Sequence, residues 1–110
     1  MEDKLEEIFS LQKGLTEMMN LDRDPDDVEG RVSALCTAMI HEAIELQRTT
    51  NWKWWKKPTE FNKGEAREEL ADIWHFLIQA SLELGLTPDD ILKEYQKKNE
   101  INRQRQKDGY

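Results

Sequence analysis

The sequence contains one cysteine, Cys36, among its 110 residues, which excludes an internal disulfide and favours a reducing compartment. No apolar run approaches the roughly 20 residues that a membrane-spanning helix requires. Basic residues are fewer than acidic ones, with 16 Lys and Arg against 23 Asp and Glu. The net charge of -7 argues against a general nucleic-acid binder or a membrane-surface protein. We therefore expect a cytoplasmic protein with no nucleic-acid or membrane partner.

Strand-like alternation is nearly absent, whereas apolar residues recur at helical spacing through most of the chain. This periodicity predicts four helices, which run from about Lys4 to Asn20, from Pro25 to Arg48, from Asn62 to Leu84 and from Pro88 onward. Residues 49–61 form the one aperiodic stretch. Four helices with short connections predict an all-α fold, a compact four-helix bundle that forms a single domain over residues 1–110.

Capping signals mark the predicted helix ends. The expected caps are Asp24 before Pro25, Asn62 with Glu65, and Thr87 with Asp90, while Gly85 is a stop signal. The apolar stripe of the second helix includes Leu35, Cys36 and Ile40, which predicts that Cys36 is an inert core residue. The stripe of the first helix is interrupted by an amide, Gln12.

Two acidic pairs are candidates for a metal site. Glu42 and Glu45 lie three residues apart on the second helix, and Glu69 and Asp72 have the same spacing on the third, so each pair lies on one side of its helix. Four carboxylates on facing helices suit Mg²⁺, which prefers oxygen ligands. Such pairs are also ordinary surface features of an acidic chain, but the aromatic Phe76 on the face of Glu69 and Asp72 favours a site.

Asp72 and His75 form an acid-x-x-His pair, the motif of di-iron bundles. That architecture needs the motif on two helices, and the only other histidine, His41, points away from the face of Glu42. The pattern therefore favours a hydrogen-bonded structural role for His75. The sequence contains no phosphate-cradling glycine loop, zinc knuckle or serine nucleophile elbow.

Glu42-x-x-Glu45, a gap of 23 residues and Glu69-x-x-Asp72 together resemble the metal-binding signature of the all-α nucleoside triphosphate pyrophosphohydrolases, the MazG-like superfamily. Four further segments are similar to the dimeric dUTPase branch: Leu11-Gln12, Trp52-Lys53-Trp54-Trp55-Lys56, Asp72-Ile73-Trp74-His75-Phe76, and a C-terminal pattern of Lys98, Asn99, Asn102, Arg105, Gln106, Gly109 and Tyr110. Known dimeric dUTPases are generally longer, so this chain is nearer the minimal core of the superfamily.

The resemblance implies hydrolysis of dUTP, and also of dUDP, to dUMP, with Mg²⁺ as cofactor and Mn²⁺ as an alternative ion. It implies a homodimer with its sites at or near the interface. Glu42, Glu45, Glu69 and Asp72 would hold the metal, and Glu45 would also orient or deprotonate the attacking water. The implied phosphate-binding residues are Lys56, Lys98, Asn99, Asn102, Arg105 and Tyr110.

Recognition of uracil calls for an amide, because an amide donates to a carbonyl and accepts from the ring N–H at once. Gln12 is the candidate for this role, although a buried amide bonded to backbone would fit the sequence equally well. The other candidates for contact with the base are Trp52, Trp55, His75 and Phe76.

Two other interpretations stay open. A dCTPase or a broad-specificity MazG-like nucleotide pyrophosphatase would use the same carboxylates with another base pocket. A helical interaction module would instead carry the acids on its surface and contact a partner protein through the tryptophan-rich segment.

Overall fold

The computed structural model describes residues 3–19 and 25–109. Within these ranges the chain forms four helices, α1 (Lys4–Met19), α2 (Val28–Arg48), α3 (Lys63–Glu83) and α4 (Pro88–Lys107), and no strand. The predicted all-α class with four helices is confirmed. None of the described helices is long and apolar enough to cross a membrane.

Helix α3 is the central element of the fold. Helix α2 packs along α3, α1 packs against another part of α3, and α4 approaches α1. In the described part of the chain, no Cα atom of α4 lies within 8 Å of a Cα atom of α2 or α3. The radius of gyration is 17.4 Å. A globule of this length would measure about 13 Å, so α4 extends away from the α2–α3 pair.

Helix α2 begins later than the sequence predicts. Its N-cap is Asp27, whose Oδ1 accepts a hydrogen bond from the backbone N–H of Gly30 at 2.6 Å. The prediction of Asp24 as the cap with Pro25 in the first turn is therefore wrong, and Asp24 itself lies outside the described residues. Both aspartates suit a cap chemically, and the side chain of Asp27 accepts from an N–H of the first turn.

The predicted caps at Asn62 and Thr87 and the predicted stop at Gly85 are confirmed, whereas the predicted end of the first helix, Asn20, lies outside the described residues. Asn62 Oδ1 accepts from the N–H of Glu65 at 3.0 Å, and Thr87 and Asp90 form a reciprocal capping box at the start of α4. Helix α3 ends at Glu83, and two residues later Gly85 has a positive φ of 73° that a residue with a Cβ atom adopts at a cost. The N–H of Leu86 then donates to the carbonyl of Ser81 and that of Gly85 to Leu82, which satisfies two carbonyls of the last turn.

The core of the chain is small. Within residues 3–19 and 25–109, the buried apolar side chains are Phe9, Leu35, Ala66, Ile78 and Ala80. The prediction that Cys36 is a core residue is wrong, because its side chain is exposed. Ile40, one turn further along the same stripe, is 61% exposed. The apolar face of α2 is thus wider than the part that α3 covers.

Candidate metal and nucleotide site

Three carboxylates from two helices converge where α2 packs on α3. Glu42, Glu69 and Asp72 each present an oxygen, and the three oxygens lie within 4.8 Å of one another. Glu42 and Glu69 are partly buried, and Asp72 is exposed. The i, i+3 spacing brings Glu69 and Asp72 to one side of α3, and the packing of α2 adds Glu42. Carboxylate oxygens at this separation form a donor set that suits a hard divalent cation.

The electrostatics of this cluster disfavour three negative charges. Partial burial, followed by the neighbouring charges of Asp72, Glu42, Glu45 and Glu65, raises the pKa of Glu69 above its usual range. Like charges at short range favour the protonated form of one member, and a bound cation would relieve the same repulsion. The protonation of Glu69 therefore depends on the charges of the other three predicted ligands, Glu42, Glu45 and Asp72.

Glu45 lies at the edge of the cluster rather than within it. Its Oε1 accepts a hydrogen bond from Arg48 Nη1 at 3.5 Å on the same helix, and its side chain is about half exposed. The structure thus brings three of the four predicted ligands together and leaves Glu45 beside them. Its predicted roles as a ligand and as the carboxylate that activates water stay predictions.

Gln12 lines a cavity of about 360 Å³ between α1 and α3. Although it lies on an otherwise apolar stripe, its side chain is only 4% exposed. Gln12 Oε1 lies 2.8 Å from His75 Nδ1, and its Nε2 donates to Thr16 Oγ1 at 3.2 Å. The cavity is lined by Ile8, Leu11, Gln12, Ala71, Trp74, His75 and Ile78. It adjoins the carboxylate cluster, because Asp72 and His75 are one turn apart on α3.

The aromatic lining of this cavity comes from Trp74. Trp74 is 48% exposed. The predicted base-contacting residues Trp52, Trp55 and Phe76 are not among the lining residues, so their role stays a prediction. The helical period gives a signal for Trp74, since Leu70, Trp74 and Leu77 form an apolar stripe on the third helix. That signal cannot distinguish a core side chain from a cavity wall.

Trp52 and Lys56 belong to a separate basic cavity of about 230 Å³ in the segment between α2 and α3. Asn51 closes this segment into a loop: its Nδ2 donates to the carbonyl of Thr59 at 2.8 Å, and its Oδ1 accepts from the N–H of Thr59 at 2.9 Å. Trp55 packs edge-on against Trp52. The positive charges at this cavity come from Arg48, Lys53, Lys56 and Lys57, a surface suited to an anionic group.

The predicted phosphate-binding residues of α4 lie apart from the carboxylates of the same chain. Lys98, Asn99, Asn102 and Arg105 are exposed. Asn99, Asn102 and Arg105 share one face at three-residue spacing, and Asn102 lines a shallow cavity with Arg103 and Lys107. The remaining candidate, Tyr110, lies outside the described residues.

An acidic site between two packed helices, next to an apolar cavity that contains a buried amide, places the protein among the all-α folds that carry a site between their helices. The dUTPase family model matches residues 4–88 and residues 78–110, so the two matched segments together span nearly the whole chain. The chain belongs to the dUTPase family, which confirms the resemblance found in its sequence.

A curated relative is the dCTP pyrophosphatase of Enterobacteria phage T4, which is 31% identical over an alignment that covers 60% of this chain. The alignment covers 46% of the phage protein, so this chain spans about half of that relative's length. No solved structure matches the chain.

Proposed function

We propose that the protein is a Mg²⁺-dependent nucleoside triphosphate pyrophosphohydrolase that converts dUTP and water to dUMP and pyrophosphate, and that also accepts dUDP. The observation that carries the proposal is the convergence of Glu42, Glu69 and Asp72 within 4.8 Å beside the cavity of Gln12. The family membership of the chain supports the same chemistry.

Glu42, Glu69 and Asp72 would hold Mg²⁺, with Glu45 as a further ligand. The fit rests on the donor set, because oxygen atoms at this spacing suit a hard cation and the raised pKa of Glu69 marks a site short of positive charge. When bound, the ion neutralises charge on the phosphates.

The chain's own residues bind the nucleotide and move one proton. Water adds to a phosphorus atom of the α,β-anhydride, the bond from that phosphorus to the bridging oxygen breaks, and the proton of the water passes to the Glu45 carboxylate. Arg48 Nη1, 3.5 Å from Glu45 Oε1, would contribute to the orientation of this carboxylate. Lys56 in the basic loop provides a positive charge for the phosphates.

A homodimer completes this proposal. Apolar side chains are exposed on both α2 and α3, including Ile40, Ile44 and Leu77, and a second copy would cover them. Helix α4 does not approach α2 or α3 of its own chain. Asn99, Asn102 and Arg105 of one protomer would therefore bind the phosphates of a nucleotide held at the carboxylates of its partner.

A second candidate substrate is dCTP, and the observation that favours it is the similarity to the phage T4 dCTP pyrophosphatase. Both candidates share the carboxylates and differ in the contacts of the base. A panel of dUTP, dCTP, dTTP and UTP, assayed for pyrophosphate release with Mg²⁺ and with EDTA, separates them. Metal-dependent release from dUTP supports the proposal. The absence of pyrophosphate release from all four nucleotides would contradict the proposal and favour a helical interaction module.

A further inference from the structure

A second cavity lies between α1 and α3, about one helical turn beyond the cavity of Gln12. Its volume of about 300 Å³ is at the lower end of the range of small-molecule pockets. Residues 13–17 of α1 meet residues 79–83 of α3 here, whereas residues 8–12 meet residues 71–78 in the first cavity, so the two helices run in the same direction. The second cavity is lined by Lys13, Thr16, Glu17, Gln79, Leu82 and Glu83. The proposed hydrolysis uses none of these side chains.

Gln79 is a buried amide that lacks a hydrogen-bond partner. The residue is 9% exposed, yet no hydrogen bond joins its amide to any residue that the structure describes. Because no sealed side-chain nitrogen or oxygen atom among these residues lacks a partner, the amide of Gln79 must be in contact with open space, which is the cavity that it lines. A buried amide without a partner lowers the stability of the fold, and such a cost is typical of a binding site rather than of a core.

The two helices that end beside this cavity carry acids where cations would be favourable. Glu17 lies in the last turn of α1 and Glu83 in the last turn of α3, and neither turn contains a basic residue. The last turns of α2 and α4, by contrast, contain Arg48 and the pair Arg105 and Lys107. Because the C-terminal end of a helix is the negative end of its dipole, two acids at neighbouring C-terminal ends form an anionic site.

The protein neutralises only part of this negative charge. Arg31 Nε from α2 pairs with Glu83 Oε2 at 2.7 Å. Lys13 is exposed, and no ion pair joins it to Glu17 or Glu83 within the part of the chain that the structure describes. Glu17 therefore has no cationic partner among these residues, and the amide oxygen of Gln79 is a further acceptor in the same cavity.

We propose that this cavity binds an aliphatic diamine. One ammonium group would donate to Glu17 and to Gln79 Oε1, the other would donate to Glu83, and the hydrocarbon chain between them would pack on Leu82. A metal ion would need several oxygen atoms around one point. Among the described residues, the carboxylate cluster of α2 and α3 meets that condition and the lining of this cavity does not. Binding of the diamine is expected whether or not the protein hydrolyses nucleotides.

The test is a calorimetric titration with putrescine, a four-carbon diamine, in EDTA. We expect saturable binding of one diamine per chain at millimolar concentration, and no binding of the uncharged diol of the same length. Glu17→Gln should weaken binding about tenfold, as expected for the loss of a charge-assisted hydrogen bond. Glu7→Gln removes an exposed acid of α1 outside the cavity and is the matched control. Its affinity should equal that of the wild type.

Gln79→Leu separates binding from folding. Leucine keeps an apolar side chain of similar size and removes the unpartnered amide, so we expect binding to be lost while the urea midpoint is equal to or higher than that of the wild type. A lower midpoint would show that the amide supports the fold, and it would overturn the inference.

Three results of the titration would also overturn the inference. The first is the absence of saturable binding to the wild type, and the second is equal affinity of the wild type, Glu17→Gln and Gln79→Leu. The third is loss of binding in Glu42→Gln, which would place the diamine at the carboxylate cluster. If putrescine bound as expected but no nucleotide released pyrophosphate, the inference would hold and the proposed function would be contradicted.

Discussion

Arg31 Nε donates to Glu83 Oε2 across 2.7 Å, and this ion pair joins the first turn of α2 to the last turn of α3. The guanidinium also donates through Nη1 to the carbonyls of Pro25 and Asp26 at 3.1 Å each. One side chain thus fixes the segment that leads into α2 as well as the packing of α2 on α3. The carboxylate cluster depends on the same packing, because its members lie on both helices.

Substitution of Glu83 by Gln should therefore destabilise the fold. The two side chains are 24% and 20% exposed, so screening by solvent reduces the effect, and we expect a loss of about 1 kcal/mol in the free energy of unfolding. Urea denaturation followed by circular dichroism measures it. Glu94→Gln, at an exposed position on α4, is the control and should leave the midpoint unchanged. Equal midpoints in both variants would contradict a stabilising role for the pair.

Divalent cations should stabilise the protein through the carboxylate cluster. At a Mg²⁺ or Mn²⁺ concentration 100 times the dissociation constant, the gain would be about 2.7 kcal/mol, which a thermal melt detects as a shift of several degrees. Glu42→Gln and Asp72→Asn should abolish this shift. Glu68→Gln, next to the cluster on α3 but not a member of it, should retain the shift. A shift that survives in all three variants would place the ion elsewhere.

Glu45→Gln should abolish turnover while the helical spectrum survives. The amide keeps the size of the side chain but cannot take the proton of the attacking water, and loss of a general base lowers kcat by about 10²–10⁴-fold. Single-turnover pyrophosphate release with saturating Mg²⁺ measures the chemical step. Full activity of Glu45→Gln would exclude the proposed role of this carboxylate.

The capping box of α4 should make the free energy of unfolding depend on pH. Hydrogen bonds from the backbone N–H and the hydroxyl of Thr87 lower the pKa of Asp90 below its ordinary value of 3.8. The ionised carboxylate therefore stabilises the fold above the ordinary value, and this contribution is lost as the pH falls through the lowered pKa. Asp90→Asn should be less stable than wild type at pH 7, and the gap should close in strong acid.

Loss of the hydroxyl cap in Thr87→Ala should cost about 1 kcal/mol at neutral pH. Urea midpoints between pH 2 and pH 7 test both substitutions. A gap between wild type and Asp90→Asn that stays constant over this range would contradict a contribution from the ionised carboxylate.

Mixed dimers should reveal whether α4 acts on the partner protomer. Glu69→Gln lacks a carboxylate and Arg105→Ala lacks a phosphate-binding cation, so each variant alone should be inactive. In an equal mixture after subunit exchange, half of the dimers combine both variants, and each contains one intact site if α4 reaches across. About one quarter of wild-type activity should return. No recovery, or a monomer at micromolar concentration in sedimentation, would contradict the shared site.

Features that depend on neighbouring residues could be predicted from the sequence. The caps at Asn62 and Thr87 and the stop at Gly85 involve atoms within five residues of each other, so their chemistry is visible in a short window. The start of α2 does not follow from a short window in the same way, because Asp24 and Asp27 both suit a cap. The acidic pairs were also visible, since their spacing places each pair on one side of a helix.

Features that depend on contacts between helices could not be predicted in the same way. Helical periodicity shows that Cys36 and Trp74 lie on apolar stripes, but it does not show how much of each stripe a neighbouring helix covers. The contact between Gln12 and His75 joins residues 63 positions apart. In the sequence, this contact is indicated only by Gln12, an amide at a position of the first helix that favours an apolar residue.

Because Asn51 closes the tryptophan-rich segment into a loop, this loop can change in length independently of the helices. Since one side chain holds both ends of the loop through the backbone of Thr59, the residues between them can change in number without displacing α2 or α3. Doubling the length of such a loop costs only about 0.6 kcal/mol in closure entropy. The helices that carry the carboxylates are therefore insulated from changes in the length of the basic, aromatic loop.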